Sequence, residues 1–207
     1  MNDEENFADK HIPSQEIGEQ MDVVEQRSFE DEIIAIDFFE LAKYRLLDVN
    51  NWTLLTGSTT SNFKLTNSFG NTLERLVEKG DYIKIDIPGP SASIGEGYDW
   101  VFVETIAEEH EAGTDVVSLT VRPAANPLSN NNDTAHFLTE QATSTFQIKR
   151  IGRHIYAEEH GRNEQANTYT GNTADNIRNM LVGWAAMLGL SYPQWKSLVS
   201  GLIKDPE

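Results

Sequence analysis

The sequence predicts a mainly β (α+β) protein, an SH3-like small antiparallel barrel of five to six strands with an N-terminal helix and a C-terminal helical hairpin. Three observations support this class. Apolar residues recur with period two between Gly80 and His160, they recur at helical spacing on either side, and turn-forming residues separate the strand-like runs. A chain of 207 residues is long enough for one ordinary domain with terminal elements to spare.

The net charge of −17 is concentrated at the start, where eleven Asp/Glu in residues 1–32 face only Lys10 and Arg27. An acidic segment with few apolar residues buries too little surface to offset its ordering entropy, so residues 1–27 read as a disordered acidic tail. The barrel domain then spans 28–167 and the helical hairpin 168–207. "FFELAKYRLL" (38–47) carries Phe38, Leu41, Ala42 and Leu46 on one stripe, with Asp37 as the N-cap. "NFKLTNSFGN" (62–71) reads as a strand turning at Asn67 to Asn71, and "TLERLVEKG" (72–80) suits a short helix ended by Gly80.

Five further strands follow. In 81–87 Ile83, Ile85 and Ile87 share a face, and in 115–122 Val117, Leu119 and Val121 do. The run 142–160 divides at Gly152 into two strands, with Phe146, Ile148 and Ile155 inside. Strand 99–107 is apolar on both faces, Trp100 and Phe102 against Val101 and Val103, which predicts the central strand with the terminal helix on its outer side. From Thr173 the helical period returns through Ile177, Leu181, Trp184 and Leu188. Gly189 stops it, and a second helix after Ser191 and Pro193 carries Trp195, Leu198, Val199 and Leu202. Residues 173–207 have no net charge, so this hairpin lacks the basic face of a DNA-binding helix pair.

The stretch "GDYIKIDIPGPSASIGEGYDW" (80–100) has the look of a phosphate loop and fails as one. Five residues separate Gly89 from Gly95, no lysine follows, and the next element has period two. Asp81, Asp86, Glu96 and Asp99 would repel phosphate, and they do not match the spacing of a calcium loop. What remains is a connection stiffened by Pro88, Gly89 and Pro90 and reversed at Gly95 and Gly97.

If successive strands form a meander, the long connections 88–98, 123–141 and the segment after His160 gather at one end. The candidate ligand-binding residues there are Tyr98, Trp100, Arg122, Asn126, His136, Phe137, His160, Arg162, Asn163 and Glu164. Two arginines in so acidic a chain suggest an anionic ligand group, and the aromatics and amides suit a peptide or sugar face; the bland alternative is that the arginines pair with local acids such as Glu164. "HIYAEEHGRNE" (154–164) offers a metal alternative, with His154, Tyr156, Glu158 and His160 on one face and His136 or His110 as a further ligand. No second ligand motif accompanies it, and no Gly-x-Ser-x-Gly elbow marks a nucleophile.

Through "GDYIKIDIPGP", "GYDWV" and "HGRNEQAN" the chain resembles an uncharacterised bacterial family with an SH3-like small barrel, over roughly residues 60–167. The resemblance implies the fold and carries no functional residue. The expectation is therefore a non-enzymatic binding module or assembly subunit, taking a protein, a peptide or a small anionic ligand. The alternative is a metal-dependent hydrolase-like barrel enzyme. No cofactor is implied. The acidity disfavours nucleic acid, and no apolar run is long enough for a membrane. Zero cysteines and an opening without a signal-peptide pattern point to the cytoplasm.

Overall fold

The computed structural model describes residues 9–56, 61–87, 95–168, 170, 173–176, 179–180, 182 and 192–206. Strand β1 (Glu19–Ser28) is followed by helix α1 (Glu32–Leu47), a 3-10 turn (Val49–Asn51) and the short helix α2 (Trp52–Thr56). Strands β2 (Asn62–Thr66), β3 (Tyr82–Asp86), β4 (Asp99–Glu111), β5 (Thr114–Pro123), β6 (Thr143–Ile151) and β7 (His154–Glu164) come next, and helix α3 (Tyr192–Leu202) closes the fold.

The seven strands form one antiparallel sheet in the order β1-β7-β6-β5-β4-β3-β2. This corrects the expected SH3-like barrel of five to six strands, and with it the family resemblance. Strands β1 and β2 are the two edges of an open sheet and do not pair with each other. The meander of adjacent strands from β3 to β7 is present. Its last member pairs with β1 instead of closing on the strands before it.

The acidic opening is also corrected over its second half. Residues 19–28 are a strand because Met21 and Val23 turn toward the interior while the backbone bonds to β7, from Glu19 opposite Glu164 to Ser28 opposite His154. That ladder satisfies the backbone of a segment whose composition alone favours disorder. Helix α1 starts six residues earlier than the stripe at 38–47 indicates. Asp31, not Asp37, caps it by accepting a hydrogen bond from the Ile34 backbone N–H at 2.9 Å. Residues 72–80 are not helical. Leu73 N–H bonds back to Leu65 O and Val77 N–H to Leu47 O, and Arg75 reaches forward to Asp81 with both guanidinium nitrogens.

Register divides the sheet into two faces. On the inner face, Val103, Ile106, Val117, Leu119, Val121, Phe146, Ile148, Ile155, Ala157 and Val23 meet α1, α2 and α3 in the core. Trp52 lies between Phe63 and Phe146, with ring centroids 5.4 and 5.0 Å away, and Trp195 of α3 packs on Phe146 at 5.4 Å. Leu198, Val199 and Leu202 of α3 are buried, and the helix packs on β1 and β7. This corrects the placement of β4 as central strand with a terminal helix outside it, since β5 is the middle strand and α3 lies on the inner face toward the β1 edge. The stripe Ile177, Leu181, Trp184 and Leu188 with its stop at Gly189 lies outside the described residues, as do Pro88, Gly89, Pro90 and Ser191.

Candidate functional site

The loop end contains several of the sequence candidates. Trp100 N–H donates to Ala135 O at 2.8 Å, Phe137 N–H to Asp99 Oδ1 at 2.9 Å, and Asn167 N–H to Phe137 O at 2.8 Å. Segments 95–100, 135–138 and 165–167 therefore meet. Most of the side chains proposed as ligand contacts already have partners there. Trp100 is only 2% exposed and donates its indole N–H to Gly95 O, a close approach that only glycine permits, because a Cβ at 95 would lie 1.7 Å from Tyr98 O. Tyr98 lies under Lys84 Nζ, 3.8 Å from its ring centre. His136 is buried against Phe137, and its Nδ1 accepts from Leu138 N–H. Asn126 is buried, with its Oδ1 accepting from Leu128 N–H and its Nδ2 without a hydrogen-bond partner among the described residues.

Both arginines are committed within the chain. Arg122 grips Glu104 at 3.0 Å and donates to the carbonyls of Glu140 and Gln141. Arg162 pairs with Asp22 at 2.7 Å and donates to Met21 O and Gly161 O. Neither presents a free guanidinium to an anion. Asn163, with a φ of 57°, fastens the N-terminal segment: its side-chain oxygen accepts from Glu16 and Ile17 N–H, and its Nδ2 donates to Ser14 O.

The residues of the metal alternative are divided. His154 and His160 share a face but are six residues apart, about 20 Å along a strand. His154 faces Ser28 at 2.8 Å, while His160 lies between Asp22 at 2.5 Å and Glu158 at 2.9 Å. Glu158 also takes Lys149 Nζ at 2.7 Å. Among the described residues no three His, Asp or Glu side chains are grouped as metal ligands. This outer-face chain is a satisfied ion network. Burial works against the charge of both acids. Even so, the hydrogen bonds from His160 and Arg162 hold Asp22 below its ordinary range, and His160 and Lys149 do the same for Glu158.

One residue sits on the opposite face and has no such company. Glu159 is paired in register with Val23 and Phe146, both core residues, so its side chain points into the interior. It is 0% exposed, and neither carboxyl oxygen has a hydrogen-bond partner among the described residues. Ser144 is the neighbour whose hydroxyl would favour its charged form, but it does not reach hydrogen-bond geometry. Glu164 lies next to it. The left-handed turn at Asn163 brings the Glu164 carboxyl back over Gly161, where a Cβ would lie 2.6 Å from its Oε1. Gly161 is two residues from Glu159 on the same face, so the two carboxyls are neighbours. Burial first, and then the charge of Glu164, push the Glu159 carboxyl well above its usual range. Burial raises Glu164 to about 7, with Arg162 opposing and Glu19 adding to the rise.

Reading the sequence for outward-facing chemistry missed Glu159. The signal was its parity, since Ile155, Ala157 and Glu159 alternate onto one face, and the first of these was already assigned inside.

No protein-family profile matches the chain, and no characterised protein is detectably similar to it in sequence. Several solved structures are remotely similar. Truncated norcoclaurine synthase from Thalictrum flavum aligns at 8% identity and a TM-score of 0.39, over 94% of this chain and 100% of that one. A major latex-like protein from Panax ginseng aligns at 10% and 0.37, over 84% and 98%. A START superfamily protein from Mycobacterium smegmatis aligns at 8% and 0.37, over 89% and 99%. A likeness this remote assigns no activity to the chain. No described helix is long and apolar enough to cross a membrane.

Proposed function

We propose that this chain is a small-molecule-binding module whose ligand lies on the inner face of the sheet, against Glu159 and Glu164. The observation that carries the reading is the isolation of Glu159, a fully buried carboxyl with both oxygens unpartnered among core side chains. Leaving such a group unsatisfied costs about 1–3 kcal/mol, and buried polar atoms in folded proteins are otherwise almost always paired. A ligand donor supplies the missing partner. The surrounding residues Val23, Phe146, Leu119 and Val121 give that ligand an apolar environment, as small-molecule sites commonly do.

The outer face and the loop end support this placement by contrast, because their charged candidates already have partners inside the protein. Native mass spectrometry of the protein purified from its own cell tests the reading. A non-covalently bound small molecule is expected on the wild type and absent from a folded Glu159→Leu variant. A mass equal to the bare chain in both proteins would overturn it.

A further inference from the structure

We propose that the inner-face site receives the ammonium group of a small amphipathic amine. The proposal rests on the inner face being a ligand site and adds the chemistry of the ligand. Two carboxyls are directed to one side of β7, and no cation pairs with either of them among the described residues. The nearest guanidinium, Arg162, belongs to the other face by register, where it is consumed by Asp22 and two carbonyls. The site therefore has acceptors in surplus and no paired cation among the described residues, with Arg162 acting on both acids only through space.

An ammonium supplies three N–H donors and a positive charge in one compact group. A hydroxyl supplies one donor and no charge, and a carboxylate or phosphate adds repulsion to a pair of acids already buried together. The rest of the ligand is bounded by what surrounds the pair. Val23 and Phe146 flank Glu159 in register, and Met21 and Ser144 flank Gly161, so the body of the amine is hydrocarbon.

Calorimetric titration of the full-length chain with n-hexylammonium, hexan-1-ol and hexanoate tests this, since the three share one hydrocarbon and differ in the head group. The ammonium is expected to bind at one site at least tenfold tighter than the alcohol, with no saturable binding of hexanoate. Glu159→Gln removes no existing partner, and a melting curve verifies that it folds. It is expected to weaken the ammonium at least tenfold and leave the alcohol unchanged, with Glu164→Gln giving a smaller loss. Alcohol or hexanoate binding as tightly as the ammonium would overturn the amine assignment while leaving the site as a ligand site. An ammonium affinity unchanged in both variants would also overturn it. Saturable binding by none of the three would overturn the ligand reading of the inner face itself.

Discussion

Two faces of the same strand, β7, hold buried acids in opposite ways. On the outer face Glu158 lies between Lys149 and His160, His160 reaches Asp22, and Asp22 is held by Arg162, so every charge in the chain has a partner within 3 Å. On the inner face Glu159, the next residue, lies among apolar side chains with the Ser144 hydroxyl and the Glu164 carboxyl nearby, and neither of its oxygens has a hydrogen-bond partner among the described residues. Low dielectric strengthens the first arrangement and makes the second costly. One face is stabilised by its polar residues, and the other keeps a polar group at the expense of stability. That asymmetry is the ground on which the inner-face site is proposed.

The largest test breaks the outer network. Lys149→Met leaves Glu158 buried with one partner fewer, and urea denaturation should show a loss of about 3–5 kcal/mol. A loss below about 1 kcal/mol would mean that the network is not what stabilises this face.

The next test uses pH. Glu164 keeps its proton in the folded state up to about 7, whereas the unfolded chain releases it near 4.5. Its contribution to stability is therefore intact below pH 4.5 and is lost as pH rises through 7, on the order of 3 kcal/mol in all. Glu164→Gln should stabilise the protein at pH 8 and leave it unchanged at pH 4. Equal urea midpoints for wild type and variant at pH 8 would contradict the burial of this carboxyl.

A smaller effect of the opposite sign to the first is expected inside. Glu159→Leu replaces an unsatisfied carboxyl with hydrocarbon and should raise stability by about 1–2 kcal/mol, seen as a higher melting temperature. Destabilisation would show that the carboxyl has a structural partner. The smallest effect concerns the segment fastened by Asn163. Asn163→Gly keeps the left-handed backbone and removes the side-chain bonds, so hydrogen exchange at Glu16 and Ile17 should quicken while global stability changes by under about 1 kcal/mol.

The sheet was legible in the sequence where packing imposes strict alternation. Ile83 and Ile85, Val117, Leu119 and Val121, and Phe146 and Ile148 mark β3, β5 and β6, and consecutive strands from β3 to β7 pair as neighbours. β1 was not legible, because Glu19, Asp22 and Glu25 give it the composition of a solvated tail, and its pairing partner lies more than 120 residues away. Whether the sheet closes depends on that same pairing, so barrel and open sheet cannot be told apart from local pattern. At the site, Glu164 could be named from its place after the last strand. The direction of its side chain depends on the turn at Asn163, which only the folded backbone shows.

The most direct measurement is the carbon NMR titration of the Glu159 side-chain carboxyl in isotope-labelled, ligand-free protein. Its titration midpoint should lie well above the ordinary glutamate range, because burial and then the charge of Glu164 disfavour the anion. A titration centred on the ordinary glutamate value of 4.5 would show a solvated or partnered carboxyl, and the inner-face site would be lost with it.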